Sequence, residues 1–433
     1  MQLQEPGEAQ VFDLVLTDLR LEAGAVVEPY LVRGWWWGPT EDLAGLNQLA
    51  MVMSDREYRS RSWQVVRRDR MAIEDWQRKF STRRPARSAA TLSAEIPTIL
   101  LVHALTGDMR AGGPGGWWDR VVGPGKALDP RRYRLLCFNL LGSCYGSSGP
   151  ADEGFSRRED DDFPAPLPVA KGNHLLPENL LPATVTTWDQ ARGILLALDA
   201  LGIDHLYLAA GGSLGAMIIL CLAALAPHRI ARIMPIGAAD RATSWVIGWN
   251  HVQRQAILLD SNFPADPRRG VELARQIGML TYRAEEGTEL RQGRQLAGLP
   301  DGETGWSSRA PYQIHTYLEH QGQKLVDRFD SGSYLALLGA MDHHDIRRRP
   351  SWAAEPEPWG ESRIRASALC VGIDSDQLFF PAAIRALAER LSAQGGHGEY
   401  RELTTPFGHD GFLIETDKVN ELMKRAVELP APR

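Results

Sequence analysis

Short apolar runs recur through this chain at Thr98 to His103, Tyr133 to Asn139, Leu206 to Ala210, Ile230 to Ile236 and Ser367 to Ile373, with a last, weaker one near Tyr400 to Leu403. Unbroken apolar runs of about four to eight residues suit strands covered on both faces, as in a parallel sheet. Helix-forming stretches lie between and after them: Trp188 to Leu201, Ala216 to Ala226, Pro381 to Leu391 and Phe412 to Val427. This alternation predicts an α/β chain with a mostly parallel sheet flanked by helices. Residues 11–33 instead alternate apolar and polar, which predicts an antiparallel strand pair at a sheet edge. The rhythm stops between Asp240 and Asp345. Helical patterns (Val271 to Leu280, Ile314 to Phe329, Tyr334 to Ala340) fill that segment without a clear strand, so it reads as a helical cap inserted into the sheet domain. Residues 1–240 and 346–433 then form the two parts of the core, and 241–345 the cap.

One junction in this pattern carries chemistry. The run from Leu206 delivers Gly211-Gly212-Ser213-Leu214-Gly215, and a helical stretch follows at once. G-x-S-x-G between a strand and a helix is the nucleophile elbow, a sharp turn that lifts a serine hydroxyl out of the sheet. A Cβ at Gly211 or Gly215 is expected to collide with the neighbouring strand or helix. Serine needs a base, and the base needs a carboxylate to orient it. In α/β-hydrolase folds the order is Ser, Asp/Glu, His, the last two following late strands. Asp374 and Asp376 follow the strand ending at Ile373, and His409 sits in Phe407-Gly-His-Asp-Gly411 after the last strand. The backbone N–H groups of Leu214 and of Leu105, in the loop after the first core strand, are the expected oxyanion hole. His343-His344 with Asp342 and Asp345 is a local cluster lacking a distant further ligand, so no metal is expected.

Composition narrows the classes. The 433 residues are 44% hydrophobic and 24% charged, with a net charge of -6, which suits a globular enzyme and argues against nucleic acid as partner. The start, Met1-Gln-Leu-Gln-Glu-Pro, has no signal-peptide pattern, and the longest apolar stretch, Leu214 to Ala226, falls short of the roughly 20 residues of a membrane span. Cys137, Cys144, Cys221 and Cys370 show no C-x-x-C spacing and sit in or beside apolar segments, so free buried thiols in a reducing, cytoplasmic setting are expected. Leu141-Gly-Ser-Cys-Tyr-Gly-Ser-Ser-Gly-Pro150 is glycine-rich but lacks the Lys-Ser/Thr pair of a phosphate loop. Two stretches stay without a role. Trp35-Trp36-Trp37 reads as an aromatic cluster packed under a loop. Residues 44–95 interleave arginines and acids with Trp63 and Trp76, and read as a solvated helical insertion whose tail, Ser81 to Ala94, is loop.

The order of several motifs resembles the homoserine O-acyltransferase family of α/β-hydrolase-fold enzymes. They are His103-Ala-Leu-Thr-Gly107, Gly116-Trp-Trp-Asp119 with Val122-Gly-Pro-Gly-Lys-Ala-Leu128, Asn139 to Pro150, the elbow, Val252-Gln-Arg-Gln-Ala-Ile257, Gln321-Gly-Gln-Lys324 with Arg328-Phe-Asp330, and Phe407-Gly-His-Asp410. The resemblance implies Ser213 as nucleophile, His409 as base and Asp376, preceded by Ser375 and followed by Phe380-Pro381, as orienting acid. It implies Arg275 for the substrate carboxylate, with Arg254 as the other candidate, and Asp410 for the ammonium. It also implies ping-pong acyl transfer from acetyl-CoA to L-homoserine in methionine biosynthesis, with no bound cofactor, and a homodimer formed through the cap. A succinyl donor, a serine acceptor, or ester or thioester hydrolysis on the same triad are the alternatives. A non-catalytic binding protein is disfavoured by the intact Ser213/Asp376/His409 set. The chain departs from the family pattern at Ala216, Gly411, the three tryptophans and the 44–95 insertion.

Overall fold

Alternating positions at the N-terminus form β1 (Gln10–Leu16), which pairs antiparallel with β4 (Tyr30–Trp37); a two-stranded ribbon, β2 (Leu19–Arg20) and β3 (Val26–Val27), lies between them in sequence. The structure, a computed structural model, describes residues 5–16, 18–59, 96–152, 155, 184–298, 311–354 and 358–432. The three tryptophans belong to β4 and not to a loop cluster. Strand β4 lies between β1 and β7 (Arg134–Phe138), so successive side chains enter opposite cores: Trp35 and Trp36 are both fully buried, one on each face. Gly34 makes this possible, because a Cβ there would stand 2.2 Å from the Phe12 ring crossing it from β1.

The 44–95 insertion also begins differently from the expectation. Its first described part is a helix (Glu41–Leu49), then β5 (Met51–Ser54) on the outer edge of β1, then a short helix, Asp55–Arg59. The rest of that expectation, residues 60–95, lies outside the described residues.

The core runs become β6 (Thr98–Val102), β7, β8 (Leu208–Gly212), β9 (Arg232–Ile236), β10 (Ser367–Ile373) and β11 (Gly398–Leu403). Among the described residues they complete a nine-stranded sheet in the order β11-β10-β9-β8-β6-β7-β4-β1-β5. Pairing from β11 to β7 is parallel throughout and turns antiparallel at β4. β6 to β10 are buried along their whole length, as a sheet with helices on both faces requires. Every parallel strand therefore ends on the same side of the sheet, where α/β folds gather their chemistry.

Between β9 and β10 lie the helices Ser244–Leu258, Arg268–Tyr282, Glu285–Arg291, Gln313–Val326 and Ser331–Asp342. The first left no signal in the sequence because its polarity is inverted: Asn250 and Gln253 face inward with Val246 and Ile257, while Trp245 and Val252 are exposed. The two ends of this cap lie side by side. Ile346 N–H donates to the Asp240 carbonyl (2.9 Å) and Ala242 N–H to that of His344 (2.8 Å). The His343-His344 region serves packing here. His344 is buried with its ring nitrogens 3.1 Å from Thr187 Oγ1 and 3.0 Å from the Ala239 carbonyl, and Asp345 pairs with Arg347. The last expected helix is broken, a turn at Gly408–Asp410 and a short helix, Gly411–Ile414, preceding Thr416–Val427. No helix among the described residues is long and apolar enough to cross a membrane. All four cysteines are buried and none is in a disulfide.

Candidate active site

Ser213 stands between β8 and the elbow helix, Leu214–Leu225, with φ 56° and ψ -125°. It has the only positive φ of any non-glycine among the described residues, a conformation that costs about 1–3 kcal/mol and persists only where the surroundings impose it. The flanking glycines show what imposes it. A Cβ at Gly211 would lie 2.6 Å from the Val102 carbonyl oxygen on β6, and one at Gly215 2.2 Å from the same atom. Ala216, one residue on, is fully buried, so its extra methyl is accommodated in the core. Ser213 N–H donates to the Ile236 carbonyl at the end of β9 (2.8 Å).

Beyond Ile236, Gly237 has φ 61°, and a Cβ there would stand 3.1 Å from His409 Cε1 and 3.7 Å from Asp376 Oδ2. The serine and the imidazole–carboxylate pair thus flank the same two residues, Ile236 and Gly237. His409 Nδ1 is 2.6 Å from Asp376 Oδ2. The other oxygen of Asp376 accepts from Leu378 N–H (2.7 Å) and Phe379 N–H (2.9 Å). Asp374 points elsewhere and accepts from Thr405 N–H, so Asp376 is the one of the two that faces the ring. With Nδ1–H given to a carboxylate, Nε2 carries a bare lone pair, and that atom is buried with no partner among the described residues. Burial alone would lower the His409 pKa; Asp376, by charge and hydrogen bond, and Asp410 more weakly, raise it above its ordinary value. Phe379, Phe412 and Tyr282 enclose the ring at centroid distances of 5.1, 5.7 and 6.1 Å.

The loop after β6 lies against the elbow: a Cβ at Gly215 would also stand 3.0 Å from the His103 carbonyl. Within it the Ala104 carbonyl is close to two donors, Gly107 N–H (2.9 Å) and His103 Nδ1 (2.9 Å). Leu140 N–H donates to His103 Nε2 (3.2 Å), which places the ring proton on Nδ1. Burial lowers the His103 pKa, keeping it neutral. Two bonds accepted by one peptide carbonyl strengthen the N–H of the same peptide as a donor, and that N–H belongs to Leu105. Leu214 N–H opens the elbow helix and has no intrahelical partner to satisfy.

Comparison with known proteins follows from this geometry. Residues 97–416 match the family model described as alpha/beta hydrolase fold. A homoserine O-acetyltransferase of Moorella thermoacetica is 37% identical over 343 residues, covering 75% of this chain and 84% of that protein. One from Symbiobacterium thermophilum is 40% identical over 349 residues, covering 76% and 84%. The chain belongs to the homoserine O-acetyltransferase family. Among solved structures, a homoserine O-acetyltransferase from Bacillus anthracis aligns with a TM-score of 0.71 at 18% identity, over 98% of this chain and 99% of that one. An acetylester hydrolase from Corynebacterium glutamicum aligns at 0.65 and 16%, over 96% of each. At such identities these two likenesses show the α/β-hydrolase fold alone.

Members of the homoserine O-acetyltransferase family are acyltransferases, and the cap of this one brings Tyr282 and Arg283 against the His409–Asp410 loop. Tyr282 ends the helix Arg268–Tyr282 beside His409, and the Arg275 guanidinium, two turns back, lies 5.8 Å from its ring centroid. Burial raises the Tyr282 phenol; Arg275 opposes that shift and Asp410 adds to it. Arg275 thus stands beside a phenol whose ring lies next to that of His409. Arg254 does not join them, since its Nη2 is 2.5 Å from Asp342 Oδ2 in an ion pair within the cap. Asp410 is only 16% exposed and its Oδ2 lies 3.3 Å from Arg283 Nε, so in this state it is paired rather than solvated. Gly411 is closely packed: a Cβ there would be 2.5 Å from Thr405 Cγ2. Tyr282, Arg283 and Gly237 escaped the sequence reading. Nothing around them marks them, because each acts through a contact more than a hundred residues away.

Proposed function

We propose that this protein transfers the acetyl group of acetyl-CoA to the hydroxyl of L-homoserine, a step of methionine biosynthesis, through an acyl-serine intermediate. Ser213 Oγ attacks the thioester carbonyl as His409 Nε2 takes its proton, and Asp376 holds the imidazolium that forms. The N–H groups of Leu105 and Leu214 receive the oxyanion. Collapse expels the coenzyme A thiolate, which takes the proton from His409. The homoserine hydroxyl then gives its proton to His409 and attacks the acyl-serine; the ester leaves and Ser213 regains a proton. Arg275 binds the amino-acid carboxylate, for which a guanidinium is geometrically suited, and Asp410 binds the ammonium.

What supports transfer over hydrolysis is that the Arg275 guanidinium lies 5.8 Å from the Tyr282 ring centroid and that this ring lies 6.1 Å from that of His409, which Asp410 directly follows in the chain: a cation and an anion in the same neighbourhood suit the two ends of a free amino acid. The cap also supports a homodimer. Trp245 and Val252, seven residues apart on the helix Ser244–Leu258, with Leu259 capping its end, and Leu273 and Leu280 on the next helix, are all exposed, so each helix shows an apolar stripe to the outside. A cytoplasmic location is part of this reading, in keeping with four buried cysteines outside any disulfide.

The deciding experiment measures thiol release from acetyl-CoA and succinyl-CoA, each with no acceptor, L-homoserine or L-serine. Release that needs acetyl-CoA and homoserine together is expected. Release without any acceptor would replace transfer by hydrolysis.

A further inference from the structure

The motif Arg328-Phe-Asp330 has no part in the chemistry above, yet Arg328 is placed where three segments meet. It leaves the cap between the helices Gln313–Val326 and Ser331–Asp342. Its Nη1 donates to the Thr106 carbonyl at 2.7 Å and to the Tyr145 hydroxyl at 2.6 Å. Thr106 lies in the loop after β6, next to Leu105; Tyr145 lies in the glycine-rich loop after β7. The backbone closes the same junction: Cys144 Sγ donates to the Arg328 carbonyl (3.8 Å), and Phe329 packs edge-on against Tyr145 with centroids 5.8 Å apart. Among the described residues no carboxylate pairs with Arg328, whereas the neighbouring Arg110 is held by Asp108 and Arg33 by Asp13. Both of those arginines discharge their donors on an acid. Arg328 spends its own on a peptide carbonyl and a phenol, both partly buried, where a charge-assisted bond is roughly twice as strong as a neutral one.

We propose that Arg328 is a positioning residue that lets the cap set the oxyanion hole. This rests on the reading that the Leu105 N–H receives the oxyanion. His103 and Gly107 fix the peptide before Leu105 from below, through the Ala104 carbonyl. Arg328 fixes the carbonyl of the Thr106–Gly107 peptide, and the N–H of that same peptide, on Gly107, is one of the two donors to the Ala104 carbonyl. The Leu105 N–H, in the Ala104–Leu105 peptide, is thus tied to the cap through one intervening hydrogen-bonded peptide. Donor placement within a few tenths of an ångström decides how well an oxyanion is stabilised. When the cap shifts, Arg328 moves the loop with it, so acyl transfer is efficient only with the cap seated.

The test uses the full chain with Arg328→Lys, Arg328→Ala and Tyr145→Phe. Acetyl-CoA with homoserine and the activated ester 4-nitrophenyl acetate are the two acyl donors. Arg328→Ala is expected to lower kcat about 10- to 100-fold, less than the loss of a direct oxyanion donor, with the homoserine KM changed less than about threefold. Arg328→Lys, which still presents a cationic donor, is expected to recover part of kcat, and added guanidinium to recover part of it in Arg328→Ala. Tyr145→Phe is expected to fall between Arg328→Lys and the unsubstituted protein. A kcat within threefold of the unsubstituted protein, a loss confined to KM, or a loss that neither lysine nor guanidinium recovers while the melting temperature drops would overturn the proposal. If the unsubstituted protein acylates from the ester but shows no homoserine-dependent thiol release, the transferase reading fails by itself. The same variants then decide the positioning role on the ester burst.

Discussion

The site has a floor and a roof, built by different rules. In the floor each proposed reactive group follows a parallel strand within a few residues: Ser213 after β8 and Asp376 after β10 are tied by main-chain N–H bonds, and His409 after β11 by the Asp376 carboxylate. In the roof Arg275, Tyr282, Arg283 and Arg328 sit on or between helices and are held by ion pairs, ring contacts and side-chain donors reaching across elements. Groups that must meet a transition state within tenths of an ångström are fixed by the sheet. Groups that must admit and release substrates are fixed by contacts that can exchange.

Substitutions on either side can break this division. Ser213→Ala is expected to remove the acyl-enzyme and cost at least about 10⁴-fold in kcat, measured as loss of the pre-steady-state burst; a retained burst would move the nucleophile elsewhere. Asp376→Asn is expected to lower kcat by about 10³- to 10⁴-fold with substrate KM values little changed. It also sharpens the pH behaviour. His409 must be neutral to act, and its pKa is raised, so the acid limb of kcat/KM is expected above pH 6.5 and should move down in Asp376→Asn. Stability runs the other way. A histidine raised on folding contributes most below its unfolded value of about 6.5, and that contribution is lost as pH rises through the folded value. The melting-temperature gap between the protein and Asp376→Asn should therefore narrow from pH 6 to 9.

On the roof, Arg275→Ala is expected to raise the homoserine KM about 10- to 100-fold while the acetyl-CoA KM moves less than threefold. Equal effects would make Arg275 structural. The smallest catalytic effect belongs to the outer face of the roof: Leu259→Glu on the exposed stripe is expected to give monomers by light scattering while the floor still acylates.

The same division explains what the sequence made legible. Strands β6 to β10 are uniform apolar runs, and the elbow glycines admit no side chain, so local composition determined both. Strand order singled out His409 and narrowed the acid to Asp374 or Asp376; the family resemblance chose Asp376, and in the structure it is Asp376 that faces the imidazole. The roof follows no such rule. Its first helix turns Trp245, Val252 and Leu259 outward and Asn250 and Gln253 inward, the reverse of the amphipathic pattern. Trp35 and Trp36 looked like a loop cluster because only long-range pairing with β1 and β7 buries both faces of β4. The Arg283–Asp410 pair joins the end of a cap helix to the loop after β11 across more than a hundred residues, and no spacing encodes it.

The backbone angle at residue 213 has one more consequence. A residue without Cβ would adopt φ 56° and ψ -125° at ease, so Ser213→Gly should melt higher than the active protein, by an amount of order 1 kcal/mol or more. The inert variant would then be the tougher molecule. On the proposed mechanism, a laboratory selection for heat resistance that ignores turnover would favour loss of the nucleophile, and screens of this protein need an activity gate at every round.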